Sequence, residues 1–348
     1  MRKSFRFTLF ALLAALALGI AACGGDDDDS GGSNTSSSSD SGGKSIKTGL
    51  VTDIGGLNDR SFNFLANKGL EDAESQLGTQ GRVFLSKSNG DYIPNLQTSA
   101  QQQNDLTISV GFLMGDATAT VAKKFPNNDF AIVDFSAAAL KGKPTNVEGL
   151  LFKEQEAGYL AGYLAGLWAK DNNADTISSV GGQKIPPVDH YIAGYQKGAK
   201  DANPSIKTLN GYSQDFVDQA KCKEIALNQI AQGSKVVFQV AGQCGLGALD
   251  AAKEKKVQGI GVDADQSYLG PHILTSALKK VDVAVFDAIK SASDGKFKGG
   301  SDVIASVKSG GIGLGKLGPE GQKYADQIKK IQDDIASGKI TGIPDTVK

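Results

Sequence analysis

Histidine and cysteine are scarce in this chain, with two of the first and three of the second. His190 and His272 have no neighbouring His or Cys at metal-ligand spacing, so no zinc-type centre is expected. The sequence has no Gly-x-Ser-x-Gly elbow, which removes one common hydrolase arrangement. Paired carboxylates for glycoside cleavage stay open, because separation in space is not visible in sequence. Excess positive charge is also missing. The formal net charge is −1, and losing Arg2, Lys3 and Arg6 takes it to −4, which excludes a strongly basic nucleic-acid binder. After residue 22 no apolar stretch is long enough to cross a bilayer. No cofactor is expected.

The chain does have a distinctive beginning. Arg2, Lys3 and Arg6 precede an apolar run of about 16 residues ending in small ones. That is the layout of a secretory signal over residues 1–22. Ile20-Ala21-Ala22-Cys23 resembles a bacterial lipobox, which implies a lipid on Cys23 as the new N-terminus. Ordinary cleavage beside an unmodified Cys23 is the alternative. Residues 23–44 continue as Cys23 followed by a tract, 24–44, rich in Gly, Ser and Asp and without apolar side chains. Such a tract cannot offset the entropy of ordering it. It reads as a tether with a random-coil reach of roughly 25 Å. Its four consecutive aspartates are a solvated spacer rather than a calcium loop, since spaced ligands are lacking. Cys222 and Cys244 form an even pair in an exported chain, which points to a disulfide.

The remaining 304 or so residues are enough for two domains. Short β-rich runs fall at 46–52, 82–86, 107–112, 130–134, 146–152, 176–180, 206–209, 235–240 and 258–262. Several are continuously apolar, as expected for parallel strands covered on both faces. Amphipathic helical patterns lie between them. One opens at Pro186-Pro187; another covers 153–170 and repeats Gly158, Gly162 and Gly166, a stripe that admits a second backbone closely. Alternating βα units predict a doubly wound α/β fold in two lobes. Ligands in such sheets sit beyond the carboxyl ends of strands.

Those strand-end loops carry the candidate residues. Asp53 follows the first strand, and Phe62 lies in the first turn of the next helix. A carboxylate beside an aromatic plate suits a flat ligand with N–H donors, although Phe62 is as readily a core residue. Asn58, Asp59 or Ser61 can cap that helix, which accounts for one of them and not for all. Asp134 ends another strand, as either cap or ligand contact. Phe216 is a second plate or a helix-start anchor. The loop from Gly242 to Gly245 can offer backbone N–H groups; no Gly-Lys-Ser/Thr follows it, so it is not a P-loop. Asp263 suits a sugar diol, with capping as the alternative. Lys279 can donate to a hydroxyl, pair with Asp263, or be a plain surface lysine.

The run Leu50-Val51-Thr52-Asp53-Ile54-Gly55-Gly56, with Asp59-Arg60-Ser61-Phe62-Asn63 after it, resembles the opening of the basic membrane protein lipoproteins. That family includes the purine nucleoside receptors of ABC transporters. Three further segments, 154–162, 261–266 and 275–282, are similar to its middle and late motifs, so the likeness covers 46–315. It implies a type I periplasmic-binding fold with a hinge of three crossing segments and a cleft between the lobes. It implies a solute-binding protein, not an enzyme, that takes a nucleoside to ABC permease subunits while anchored to the outer face of the membrane. Phe62 and Phe216 would sandwich the base. Asp53 and Asp134 would lie beside it, Asp263 and Lys279 would hold the ribose, and Gly242 or Gly245 would offer N–H donors. The expected lobes are 45–151 with about 272–300, and 152–271 with about 301–348. A sugar receptor of the same fold, an exported hydrolase and an adhesion lipoprotein are the competing readings.

Overall fold

The computed structural model describes residues 44–347. The expected signal, Cys23 and nearly all of the tether lie outside the described residues. The first six elements alternate: β1 (Lys47–Val51), α1 (Phe62–Leu77), β2 (Gln80–Phe84), α2 (Tyr92–Gln101), β3 (Leu106–Val110) and α3 (Gly115–Lys124). They are followed by β4 (Asp129–Val133), β5 (Val147–Phe152), α4 (Glu154–Asp171), β6 (Thr176–Gly181), α5 (Pro186–Ala202) and β7 (Lys207–Tyr212). Next come α6 (Gln219–Ala231), β8 (Val236–Val240), α7 (Gly242–Glu254), β9 (Gln258–Asp263), β10 (Ile273–Lys279) and α8 (Val281–Ser293). β11 (Asp302–Ala305), β12 (Ile312–Leu314) and α9 (Ala325–Ala336) complete the described chain.

Two sheets result, ordered β11-β5-β4-β3-β1-β2 and β12-β10-β9-β8-β6-β7. All pairings are parallel except that of β10 with β12. The central strands β3 and β8 are buried at every position, as their continuous hydrophobicity requires. In each sheet the chain reverses direction of winding beside the first strand, between β1 and β3 and between β6 and β8. A switch point of this kind opens a crevice at the strands' carboxyl ends. This is the expected type I periplasmic-binding architecture.

All nine expected strands are present, with ends that coincide or shift by up to three residues. The lobe boundaries need correction. β10 joins the second sheet and β11 the first, the reverse of what the sequence leads one to expect for 272–300 and 301–348. Only the helical part of the first stretch goes as expected: α8 packs on α1, where Gly69 brings the helices so close that a Cβ would sit 2.4 Å from the Asp282 carbonyl oxygen. The chain therefore crosses between lobes at β5–α4, β10–α8 and β11–β12. Backbone bonds lace these crossings: Lys153 N–H to the Ala305 carbonyl at 2.9 Å and Lys280 N–H to that of Gly311 at 2.9 Å.

The glycine stripe of α4 receives α5. A Cβ on Gly158, Gly162 or Gly166 would lie within 2.1, 1.9 or 2.6 Å of a carbonyl oxygen of Tyr191, Tyr195 or Ala199. Gly194 and Gly198 of α5 return the fit against the carbonyls of Gln155 and Tyr159.

Candidate functional site

A cleft lies between the two sheets, with about 630 Å³ of space between its walls when the open solvent at its mouth is included. Its walls come from the loops after β1, β3 and β4 in one lobe and after β6, β7 and β8 in the other, with the ends of β9 and β10. Seven of the eight expected ligand residues line it: Asp53, Phe62, Asp134, Phe216, Gly242, Asp263 and Lys279. Gly245 does not. Its N–H turns back to the Ala241 carbonyl at 3.4 Å, and a Cβ there would meet Gln239 Oε1 at 1.7 Å. It is a glycine so that α7 can pack on β8.

The first-lobe wall is built around two carboxylates. Asp53 Oδ1 accepts the Ile54 N–H at 2.6 Å and the Tyr92 hydroxyl. Oδ2 points to Gly111, where a Cβ would be 2.6 Å away. Burial pushes the Asp53 carboxyl up to about 6, against the lowering effect of Tyr92 and Ile54. Asp59 is the capping residue of this region. It accepts the N–H groups of Ser61, Asn63 and Phe64 at 3.1, 2.7 and 3.0 Å. Burial raises its carboxyl to about 6 as well, despite those three bonds.

The floor is an ionic cluster. Lys279 Nζ lies 2.6 and 2.7 Å from the two oxygens of Asp134 and 3.0 Å from Glu154 Oε1. Its side chain is 2% exposed, so it is not a surface lysine, and its ion-pair partners are Asp134 and Glu154 rather than Asp263. Burial disfavours the ammonium, but Asp134, Glu154 and Asp263 together hold its pKa above the usual lysine value. The rings of Phe62 and Phe152 flank it at 5.1 and 4.9 Å, a cation–π contact on each side. Glu154 is buried, which alone would raise its carboxyl, yet Lys279 and His190 bring it below the ordinary value. His190 Nδ1 is 3.0 Å from Glu154 Oε2.

Asp263 Oδ2 accepts the Ser61 hydroxyl at 2.7 Å and Oδ1 the Tyr191 hydroxyl at 3.3 Å. Both strand-end aspartates, Asp134 and Asp263, have left-handed backbones with φ of 69° and 59°. Asp is one of the few residues to tolerate that region, which is concentrated at functional sites. In the second lobe the Phe216 ring packs over Gly182. Gly242 and Gln243 open α7 at the cleft wall, where helix N–H groups favour acceptor atoms.

Four residues of the site were not singled out from sequence. Asp59 was visible only as one of three capping candidates. Tyr191 falls on the apolar face of a helix pattern and Glu154 at a helix start. Tyr92 carries no pattern at all. Cys222 and Cys244 are joined behind the site, with Cα atoms 5.5 Å apart. Among the described residues no cluster of metal ligands and no helix long and apolar enough to cross a membrane is found.

Residues 46–344 match the family described as ABC transporter substrate-binding protein PnrA-like. The chain is 37% identical over 318 residues to a Lactococcus lactis protein named ABC transporter nucleoside-binding protein BmpA, covering 85% of this chain and 88% of that one. It is 31% identical to basic membrane protein B of Borrelia garinii, over 86% and 88% of the two chains, and 36% identical to an uncharacterized lipoprotein of Pyrococcus horikoshii, over 84% and 74%. A solved ABC transporter solute-binding protein from Aeropyrum pernix superposes with a TM-score of 0.77 at 28% identity, covering 86% of this chain and 94% of that one. A Bacillus halodurans solute-binding protein with bound myo-inositol, at 12% identity and a TM-score of 0.60 over 82% and 99% of the chains, shares the fold. With its two largely parallel sheets and the cleft between them, this chain belongs to the PnrA-like family of ABC transporter substrate-binding proteins.

Proposed function

We propose that the solute is a nucleoside, purine in the first instance, and that the protein carries it unaltered to the permease while anchored through a lipid on Cys23. The observation that carries this reading is the pair of aromatics, Phe62 from one lobe and Phe216 from the other, lining one cleft. A flat base between two rings gains roughly 0.5–1.5 kcal/mol per aromatic pair beyond area burial. Asp53 Oδ2 supplies an acceptor for a base N–H. Asp263 and Lys279 supply an acceptor and a donor for ribose hydroxyls. The name of the Lactococcus lactis relative points the same way.

Charge selects against phosphate. Asp53, Asp59, Asp134 and Asp263 line the cleft with Lys279 as its cation, and Lys279 is already engaged by two carboxylates. Calorimetry on ligand-stripped protein should give tighter binding for inosine, guanosine or adenosine than for their monophosphates, with free pentoses and inositol weaker still. Tighter binding of a monophosphate, or of a sugar alone, would refute the nucleoside reading. The anchor has its own test: intact mass of membrane-extracted protein should show residues 1–22 absent and Cys23 lipidated, and an unmodified soluble product would remove it.

A further inference from the structure

The turn between β1 and α1 has more polar residues than a helix start needs. Asp59 does the capping, through three backbone N–H groups. Ser61 occupies the N-cap position itself yet makes no capping bond. Its hydroxyl crosses the cleft instead: it donates to Asp263 Oδ2 at 2.7 Å and lies 3.3 Å from the Val262 carbonyl. Ser61 is fully buried, so this bond is shielded from water and charge-assisted. The preceding residue, Arg60, is held in a left-handed conformation with φ of 52°. Its guanidinium lies 5.6 Å from the centroid of the Tyr268 ring, on the turn Ser267–Leu269 after β9. Tyr268 is 53% exposed. Two consecutive residues of the first lobe thus grip one loop of the second, one inside the cleft and one at its rim. Neither contact belongs to the three crossings of the hinge.

We infer that Arg60 and Ser61 form an inter-lobe latch with Tyr268 and Asp263, which holds the closed arrangement by direct protein contacts in addition to those of the solute. The partners belong to different lobes, so hinge opening must break both contacts. Asp263 has a second role as a cleft-lining acceptor. Latch and solute therefore meet on one carboxylate, and filling the cleft is linked to closing it. A latch of this kind acts on release rather than on entry, since the contacts form only after the lobes have come together.

Two alanine variants and one control separate the latch from mere packing. Ser61→Ala removes the inner bond; Tyr268→Ala removes the outer one without touching Asp263, and Tyr268→Phe keeps a ring for Arg60. Hydrogen exchange on the full-length protein in detergent, without solute, should quicken severalfold at residues 111–113 and 241–244 in both alanine variants. Gly111 and Phe112 of the first segment and Ala241, Gly242 and Gln243 of the second line opposite walls, and neither segment includes a latch residue. Amides of the two central sheets should not change, and Tyr268→Phe should resemble the parent. Unchanged exchange, a change confined to residues 57–64, or a uniform rise across both sheets in the two variants would overturn the latch. Stopped-flow release of inosine should in turn accelerate severalfold to about tenfold with the association rate unaltered. This second arm rests on the nucleoside reading. If inosine does not bind the parent protein, that reading fails while the exchange experiment still judges the latch.

Discussion

At the scale of single residues the site is a set of carboxylates whose burial and partners differ. Asp263→Ala leaves Ser61, Tyr191 and a ribose diol without their acceptor. The expected loss of nucleoside affinity is roughly 1.5–3 kcal/mol if the bond is charge-assisted, and unchanged calorimetric binding would place the sugar elsewhere. Phe216→Ala should weaken all bases alike, because stacking reads shape rather than edge pattern, whereas Asp53→Asn should alter the ranking among bases. Asp53 also sets a pH dependence. Burial pushes its folded carboxyl up to about 6 and does the same to Asp59, above the ordinary aspartate range. A raised acid pKa means that the folded state binds the proton more tightly, so these two groups favour folding at low pH and that contribution falls as pH rises from about 4 to about 6. Binding has the opposite sign. Oδ1 is taken by Ile54 and Tyr92, so a proton on Oδ2 turns the oxygen left for the solute into a donor, and affinity for a base with an N–H edge should fall as pH drops below about 6. Dissociation constants measured from pH 5 to 8 check this, and Asp53→Asn should flatten the profile.

At the scale of elements, close backbone approach and a covalent cross-link hold the second lobe in shape. Gly162→Ala would put a methyl group 1.9 Å from the Tyr195 carbonyl oxygen. Backbone cannot yield as a flexible side chain does, so α4 and α5 must separate, at a cost of about 1–3 kcal/mol or more. Chemical denaturation should show it as a lower midpoint with unchanged slope. The Cys222–Cys244 bond ties α6 to α7 over a separation of 22 residues. Reduction should cost roughly 3 kcal/mol in the loop-entropy treatment, read as a fall in melting temperature. Reduction should also weaken nucleoside binding, because the loop bearing Phe216 leads directly into α6 and its Phe216 carbonyl accepts the Cys244 N–H of α7 at 3.0 Å. Equal affinity before and after reduction would separate the disulfide from the site.

At the scale of the whole molecule, three crossings set the lobes in register, and the ionic floor lies on two of them. Glu154 is the first residue of α4 and Lys279 the last of β10, so the pair at 3.0 Å joins two of the crossings at the base of the cleft. A solute touching both lobes stabilises them together. At one hundred times its dissociation constant it adds about 2.7 kcal/mol. Calorimetric scanning should then show one transition moving upward as a whole. Two transitions, of which inosine moves only one, would mean that the solute is held by a single lobe.

Much of this protein was decided locally and could be read from its sequence. Continuous apolar runs such as Val236–Val240 must be strands covered on both faces, and the four-residue glycine repeat of α4 must admit another backbone. Asp53, Asp134 and Asp263 were legible as candidates because they end strands, and strand ends are where such folds bind. What remained open was every choice made across long separations. Whether Lys279 was a surface lysine or a buried ion depended on Asp134 and Glu154, which lie 145 and 125 residues away. Gly245 and Gly242 look alike in the chain, yet α7 turns one towards Gln239 and the other towards the cleft. β10 and β11 exchanged their expected lobes because a strand's sheet is set by the partners it meets in space, β9 and β12 for the one and β5 for the other, not by its own composition. Ser61 could be a cap or a contact. The choice fell to tertiary structure, since Asp59 had satisfied the helix start and only folding brought Asp263, 202 residues on, within reach of the hydroxyl left over.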